Sequence, residues 1–292
     1  MPTGPKIILI GNCQVTPLST LLKTIYQIET IQVISAHLAQ DQDAEAVEAN
    51  IQQADLIITQ HIHDHYPRQF LHTSRLKQIN RIKVLTIPNL FYRGYTPDLR
   101  YVRLNQGGTL TGPLGDYHSS IILDNWLEGC SDITLEELYR DPGQWKQRYE
   151  QTAKDSMTEL KKRELELDIK MSDFIEQKQA QTRLFHTFNH PSKRLLVRLA
   201  KRIGRAAQFN KNEQVRGKLN QINDGLNRIQ IPIHPFVKQH LGLSFIDNQT
   251  VQSDHVNGVV LKQPQQFTLA GLIERFSLFY SAHPALMSDI RD

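Results

Sequence analysis

The sequence predicts an α/β fold, with a parallel sheet of four or five strands in the N-terminal part and a mainly helical C-terminal part. In the N-terminal part, short apolar runs alternate with amphipathic stretches, which is typical of βα units. In the C-terminal part, apolar residues recur mostly at helical spacing. We therefore expect an α/β domain over residues 1–128 and a mainly helical region packed on it over residues 129–292.

The first βα unit is the segment from Lys6 to Leu22, KIILIGNCQVTPLSTLL. An apolar strand leads into the turn GNCQ, and a helix is predicted over 16–28 with Thr16 as its N-cap and Pro17 as its first residue. Further strands are predicted over 30–35, 54–59 and 81–87, with helices over 41–53 and 69–80 between them. This order predicts a Rossmann-like parallel sheet with right-handed crossovers.

Three polar segments follow strands of this predicted sheet. They are the turn at Cys13, the cluster from Gln60 to His65 and the loop after Pro88. All three would lie at the carboxyl edge of the sheet, which is where ligands bind in open α/β folds.

The rest of the chain shows weaker patterns. Residues 90–120 read as a long irregular loop, which is usually functional in a compact domain. A buried helix or strand is predicted over 121–128, and one or two long helices over 145–185. Pro191 fits the first turn of a basic helix within 192–218, and no strand is clear before 258–262. A short helix within 231–242 and an amphipathic helix over 267–281 complete the chain.

The composition is that of an ordinary globular protein. Of 292 residues, 39% are hydrophobic and 22% charged, and the formal net charge is +4. No apolar run approaches the roughly 20 residues that span a bilayer, and the N-terminus lacks a secretory pattern, so we expect a cytoplasmic protein. The two cysteines, Cys13 and Cys130, with neither HExxH nor CxxC, predict no disulfide framework and no metal site.

Cys13 is the candidate nucleophile. The glycine pattern of dinucleotide-binding proteins and the Walker A motif are both absent from the first turn, which disfavours nicotinamide and P-loop chemistry. A thiol near a helix N-terminus has a lowered pKa and lies close to backbone N–H donors. Its neighbours Asn12 and Gln14, with Gly11 in the same turn, could place donors for an oxyanion. The alternatives are that Cys13 is a small packed hydrophobe and that Asn12 only forms the turn.

A nucleophilic thiol needs a histidine base, and that histidine needs a group to orient it. The best local candidate is His118, and Asp116, two residues earlier, could orient it or help bind substrate. The second candidate is His190, and the third group is His61, His63 and His65. For each histidine the alternative is a loop residue hydrogen-bonded to the backbone.

Two cationic segments could bind phosphate. One is the tyrosine-rich loop that contains Tyr92, Arg93, Tyr95, Arg100 and Arg103, since arginine pairs with phosphate and tyrosine stacks on a base. The other is the basic helix, with cations at Lys193, Arg194, Arg198, Lys201, Arg202 and Arg205. The alternative for the helix is a solvated face, and nucleic acid is less favoured because no binding motif accompanies the charge.

These motifs, taken together and in order, resemble one family. The turn GNCQ, the loop PNLFYRGYTPD, the segment GPLGDYHS, the break FNHPS and the segment IPIHP are similar to those of the WcbI-like polysaccharide-biosynthesis proteins, over roughly residues 6–245. These are acetyltransferases of capsule assembly that bind coenzyme A. The resemblance implies acetyl transfer from acetyl-coenzyme A to a sugar hydroxyl, with Cys13 as the catalytic thiol and His118 as its histidine. Asp116 would complete the set through its proximity.

Three functions follow from the sequence. The first is an acetyl-coenzyme A-dependent O-acetyltransferase, with the coenzyme held by Tyr92, Arg93, Tyr95, Arg100, His190, Lys193 and Arg194. The second is an SGNH-like hydrolase with cysteine in place of serine. The third is a non-catalytic module that binds a sugar or nucleic acid through the basic helix. The acceptor sugar and the oligomeric state, including a homo-oligomer, stay open.

Overall fold

In the computed structural model, which describes residues 5–28, 30–79, 81–213, 215–256 and 259–291, the chain forms two units from interleaved segments. Unit 1 comprises Met1–Phe91, Thr158–Gln177 and Pro191–Leu226. Unit 2 comprises Tyr92–Met157, Lys178–His190 and Asn227–Asp292. The boundary predicted after residue 128 does not coincide with any of these, because the chain passes from one unit to the other several times.

Unit 1 contains the predicted parallel sheet. Its strands are β1 (Lys6–Gly11), β2 (Thr30–Ser35), β3 (Leu56–Gln60) and β4 (Lys83–Ile87). They are arranged in the order β2-β1-β3-β4, and all neighbours are parallel. The α/β fold class and a four-stranded sheet are therefore confirmed.

Helices and short strands make up the rest of the fold. Three helices lie between or after the first strands: α1 (Val15–Ile25), α2 (Ala44–Gln52) and α3 (Thr73–Lys77). The chain continues with β5 (Leu99–Tyr101), β6 (Arg103–Leu104), β7 (Pro113–Ser119), α4 (Ser120–Leu127), α5 (Asp132–Arg140), α6 (Pro142–Tyr149), α7 (Thr152–Arg163), α8 (Ser172–Lys178), β8 (Phe185–Thr187), β9 (His190–Pro191) and α9 (Lys193–Ala206). It ends with α10 (Val215–Gln221), α11 (Pro235–His240), β10 (Val251–Val256), β11 (Val259–Phe267), α12 (Leu269–Ala282), α13 (Pro284–Ser288) and β12 (Ile290–Arg291).

The first helix begins earlier than predicted. Its N-cap is Gln14, so Thr16 is not the N-cap and Pro17 is the third helical residue instead of the first. The side chain of Asn12 makes this possible, because its Oδ1 accepts the backbone N–H of Gln14 at 3.0 Å and closes a turn. Proline is tolerated there because the first-turn N–H groups have no partner within the helix.

The sheet of unit 1 is covered on both faces. Alternate residues of β1 point to opposite faces, and Ile8 and Ile10 belong to a core cluster that includes Val47 and Ile51 of α2. The helices α1 and α9 pack against each other. The helix α9 buries Leu195, Leu196, Leu199 and Ile203, as predicted, whereas Ala206 is only partly buried.

The prediction of one or two long helices over 145–185 is wrong, because the structure has three shorter helices there. The chain forms α6, α7 and α8 there, and α7 and α8 are separated by residues 164–171. The buried carboxylate of Glu164 accepts the backbone N–H groups of Met171 and Ser172 at 2.7 and 2.9 Å. This side chain supplies partners at the start of α8, so the chain can turn there.

Unit 2 contains strands that the sequence did not predict. The segment 90–120 includes β5, β6 and β7, and the strands β5 and β7 pair antiparallel. In the second half, β8 and β9 precede the antiparallel pair of β10 and β11. Of the predicted strand over 258–262, residue 258 lies outside the described residues and the rest belongs to β11. The sequence located only the first part of β11, because its later residues, QPQQF, are polar and largely exposed, without the apolar alternation of a half-buried strand.

None of the helices in the described ranges is both long enough and apolar enough to cross a membrane.

Candidate functional site

Cys13 lies in the turn between β1 and α1, at the carboxyl edge of the sheet in unit 1. Its side chain is partly buried, and it forms no disulfide. Burial raises the pKa of the thiol above its ordinary value of 9.0, while its own backbone N–H acts in the opposite direction. The sulfur is therefore protonated at neutral pH, and the expected lowering of its pKa by the helix N-terminus does not prevail.

Four amide side chains hold this turn in place. Gln60, at the end of β3, accepts the backbone N–H of Asn12 at 2.8 Å and donates to Oε1 of Gln14 at 3.0 Å. Asn89, after β4, accepts from the side-chain amides of Asn12 at 3.0 Å and of Gln14 at 3.3 Å. We call these residues the amide network: Asn12, Gln14, Gln60 and Asn89. It ties together the ends of β1, β3 and β4.

Gln14 is the central member of the amide network. Only 1% of the residue is exposed, and its side chain exchanges two hydrogen bonds with the backbone of Leu90, at 2.8 and 3.2 Å. These bonds give Gln14 a positioning role for the turn. Its predicted role as an oxyanion donor stays a prediction.

Gly11 allows the amide network to approach β1 closely. A Cβ atom at this position would lie 2.5 Å from Oε1 of Gln60 and 2.7 Å from Cγ1 of Val15. Any larger residue would push Gln60 away, so steric exclusion explains why position 11 of the GNCQ turn is a glycine.

The sequence prediction located this edge but missed the roles of Gln60 and Asn89. Gln60 ends β3, the neighbour of β1 in the sheet, and Asn89 follows β4, which is one strand further away. Their positions in the sequence could have predicted that they lie near the turn of Cys13, since the carboxyl ends of parallel strands meet at one edge of the sheet.

The histidines after β3 lie in the same unit as Cys13. His61 and His63 make an edge-to-face contact with ring centroids 4.4 Å apart. Burial and the neighbouring His63 lower the pKa of His61, so its ring is neutral at pH 7. Among the residues described, no group of three or more histidine, cysteine, aspartate or glutamate side chains is arranged to hold a metal ion.

His118 is completely buried in unit 2. Its Nδ1 lies 2.9 Å from the hydroxyl of Tyr280, and its Nε2 lies 3.1 Å from the carbonyl of Leu110. Burial lowers the pKa of His118 to about 4. Both ring nitrogens are therefore occupied, and the catalytic role implied by the resemblance stays a prediction.

Asp116 does not orient His118. Its carboxylate accepts the hydroxyl of Thr111 at 2.9 Å, and the residue is exposed on β7. The prediction that Asp116 orients His118 rested on sequence proximity, and the partners of His118 in the fold are Tyr280 and Leu110 instead.

The residues predicted to hold the coenzyme in the tyrosine-rich loop make structural contacts in unit 2. Tyr92 and Tyr95 are buried, and the hydroxyl of Tyr95 donates to the carbonyl of Gln179 at 2.6 Å. The guanidinium of Arg93 donates to the carbonyl of Pro97 at 2.8 Å, and that of Arg100 pairs with Asp124 at 2.8 Å. Their role in coenzyme binding stays a prediction.

The other predicted coenzyme residues lie around the start of α9. Nε2 of His190 lies 3.2 Å from the hydroxyl of Tyr117 within unit 2. In unit 1, Nζ of Lys193 donates to the carbonyls of Leu219 and Ile222 at 3.0 and 2.6 Å, while Arg194 is exposed. Lys193 also borders a cavity of about 220 Å³ along α1, which includes Thr16, Pro17, Thr20 and Leu21.

A parallel sheet with a cysteine in its first strand-to-helix turn defines an α/β protein with a thiol-centred candidate site. The family model described as polysaccharide biosynthesis enzyme WcbI matches residues 6–212, and the chain belongs to this family of polysaccharide biosynthesis enzymes.

One solved structure shares the fold. It is described as WcbI, a novel polysaccharide biosynthesis enzyme, in the form of the native protein without a disulfide bond between coenzyme A and a cysteine of that protein. The match has a TM-score of 0.74 and 19% sequence identity, and it covers 98% of this chain and 92% of that chain. No curated protein matches the sequence.

Proposed function

We propose that this enzyme transfers an acetyl group from acetyl-coenzyme A to a hydroxyl of a saccharide, with Cys13 at the centre of the reaction. The observation that carries the proposal is the partly exposed thiol of Cys13, held by the amide network at the ligand-binding edge of the sheet. Membership of a polysaccharide-biosynthesis family supports a saccharide acceptor. The structural relative, whose description names coenzyme A and a cysteine with no disulfide bond between them, supports the coenzyme.

A cavity along α1 supports the proposal as the place for the arm of the coenzyme. The 220 Å³ cavity is lined by Thr16, Pro17 and Leu21, which follow Cys13 along α1, and its surface is mostly apolar. An apolar slot with a few polar groups suits a pantetheine arm that ends in a thiol. Thr16, Thr20 and Lys193 would supply polar contacts to its amides.

The proposed reaction has two steps. In the first, the sulfur of Cys13 attacks the thioester carbonyl, its proton passes to the departing coenzyme sulfur, and the acetyl group becomes a thioester of Cys13. In the second, the acceptor hydroxyl attacks that thioester, the ester forms, and the hydroxyl proton returns to the sulfur of Cys13. The backbone N–H of Cys13, at the start of α1, would steady the oxyanion in both steps.

A base is needed because burial keeps the thiol protonated. His118 is the base implied by the resemblance, and His61 is a neutral histidine at the same sheet edge as Cys13. The variants His118→Gln and His61→Gln separate the two, provided that activity is expressed per folded molecule. We expect His118→Gln to lose stability, because it removes a buried ring with two partners, and His61→Gln to lose turnover with its fold intact.

The test of the proposed function is acetyl-coenzyme A turnover with saccharide acceptors. Wild type is compared with Cys13→Ala and with the matched control Cys130→Ala. We expect Cys13→Ala to abolish transfer and Cys130→Ala to leave it unchanged. Full activity of Cys13→Ala would show that Cys13 is not the nucleophile.

Coenzyme binding separates transfer from hydrolysis. A ligand that binds only the folded state stabilises it by about 2.7 kcal/mol at 100 times its dissociation constant, so coenzyme A should raise the melting temperature. Ester cleavage without any such shift would favour the SGNH-like hydrolase instead.

A further inference from the structure

A second cavity in unit 1 lies at the opposite end of α1 from Cys13. Its volume is about 830 Å³, within the range of small-molecule sites. Residues at the end of α1, along α9 and in α10 line it, and α1 spans about 15 Å between the two ends. The cavity is therefore separate from the turn that holds Cys13.

Five cations line this cavity, and they come from three parts of the chain: Arg198, Lys201, Arg205, Lys211 and Arg216. In the described part of the chain, no carboxylate forms an ion pair with any of them. The contrast on α9 is Arg202, which is bonded to both carboxylate oxygens of Asp173 at 2.6 and 2.7 Å. The cations at the cavity thus repel one another without a protein anion to compensate them.

Arg198 shows this lack of compensation most clearly. Its Nε is buried and has no hydrogen-bond partner among the described residues. Its guanidinium lies 5.4 Å from the centroid of Phe174, so an aromatic ring holds the group in place. A buried donor without a partner is costly, and an anion in the cavity would supply the partner.

The negative end of α1 does not account for these cations. The amide of Asn212 donates to the carbonyls of Lys23, Thr24 and Tyr26, at 2.9, 3.1 and 2.7 Å, and satisfies the end of α1. The carbonyl groups that a cation would otherwise cap at this helix end therefore have a neutral partner already.

The cavity also has an aromatic side. The rings of Tyr26 and Phe209 lie 5.7 Å apart, and Phe209 is partly exposed. Gly204 lets the ring of Tyr26 lie against α9, since a Cβ atom there would be 2.0 Å from Cζ of Tyr26. The backbone of Gln27 also donates to the carbonyl of Asn210 at 2.8 Å and fixes the segment that carries Phe209.

From this arrangement we infer that the cavity binds a nucleotide bearing two or more phosphate charges, with its base on the aromatic side and its phosphates among the cations. Arginine and lysine bind phosphate by charge-assisted hydrogen bonds, and an aromatic ring stacks on any base. Two sources share this chemistry: the phosphorylated adenosine end of coenzyme A, and a nucleotide-linked sugar. The inference does not depend on the chemistry at Cys13.

Calorimetric titration of the whole protein tests this inference, with adenosine 3′,5′-bisphosphate, uridine diphosphate and inorganic pyrophosphate as probes. We expect at least one nucleotide to bind more tightly than pyrophosphate, with an affinity that falls as salt screens the charges. Tighter binding of the adenosine probe would assign the site to the coenzyme, and tighter binding of the uridine probe to a nucleotide-linked sugar.

The double variant Lys201→Gln/Arg205→Gln should weaken nucleotide binding at least about tenfold, because each cation contributes a charge-assisted bond. The control Lys77→Gln/Lys218→Gln makes the same change in net charge at exposed positions outside the lining and should bind as wild type does. Without ligand, the cavity variant should melt no lower than wild type, because it relieves repulsion.

Three results would overturn the inference: no nucleotide binding, equal binding of pyrophosphate, or unchanged binding by the cavity variant. The variant Cys13→Ala should still bind the nucleotide. Loss of nucleotide binding is therefore distinguishable from a failure of the proposed acetyl transfer.

Discussion

At the scale of single residues, Cys13 experiences two opposing influences. Burial favours the neutral thiol, while the adjacent backbone N–H favours the thiolate, and burial is the larger. The same turn is fixed by Asn12, Gln14, Gln60 and Asn89, so the sulfur has a defined position even though it is not activated in the free protein. Deprotonation of the Cys13 thiol must then accompany substrate binding or proton transfer to a base.

This balance predicts the pH dependence of alkylation. Iodoacetamide reacts with the thiolate, so the rate at Cys13 should be low at neutral pH and rise about tenfold per pH unit, without levelling off below the ordinary pKa of 9.0. Mass spectrometry of the peptide containing Cys13 measures the rate, and the variant Cys13→Ala identifies the background from Cys130. A plateau near neutral pH would contradict the raised pKa.

At the scale of elements, α9 has two functional faces. Leu195, Leu199 and Ile203 are buried, while the opposite side carries cations toward the 830 Å³ cavity. Gly204 lies between these faces because the ring of Tyr26 occupies the space that a side chain would need. The helix thus contains a residue of poor helical propensity for a packing reason.

Two glycine substitutions test this explanation. Gly204→Ala should destabilise the protein by about 1–3 kcal/mol, because displacement of Tyr26 outweighs the gain of about 1 kcal/mol in helix propensity. The matched control is Gly217→Ala in α10, where a Cβ atom would meet nothing within 4 Å. It should leave stability unchanged or raise it. Urea unfolding of both variants gives the comparison, and equal effects of the two substitutions would contradict it.

At the scale of the whole molecule, buried titratable groups set how stability varies with pH. Burial raises the pKa of Asp98 to about 6 from an ordinary value of 3.8, and it lowers the pKa of His118 to about 4 from 6.5. The ionised carboxylate of Asp98 lowers the free energy of unfolding, and this loss of stability is fully present above about pH 6 and is relieved as the pH falls toward 3.8. The stabilisation from neutral His118 is present above pH 6.5 and is lost as the pH falls toward 4.

Asp98 and His118 change the stability in opposite directions as the pH falls, so the variant Asp98→Asn is needed to isolate the contribution of Asp98. The free energy of unfolding of Asp98→Asn minus that of wild type should be more positive at pH 7 than at pH 4, by up to about 3 kcal/mol. Chemical denaturation at several pH values measures it. The reason is that only wild type must keep a charged carboxylate in the interior at pH 7. A difference that is constant with pH would show that Asp98 is ionised normally.

The sequence by itself determined the parallel sheet, because its apolar runs and intervening amphipathic helices are local patterns. It also determined the position of Cys13 at the carboxyl edge, since that follows from strand direction alone. The ordered motifs pointed to the family to which the chain belongs.

Only the tertiary structure decided which side chains meet. Gln60 and Asn89 reach the turn of Cys13 across the sheet, and His118 is enclosed by Tyr280 and Leu110, which are distant from one another along the chain. The interleaving of the two units and the strands β5 to β10 were likewise beyond local patterns. The physical reason is that periodicity reports which face of an element is buried, whereas a hydrogen-bond partner or a cavity depends on distances between elements that the sequence does not state.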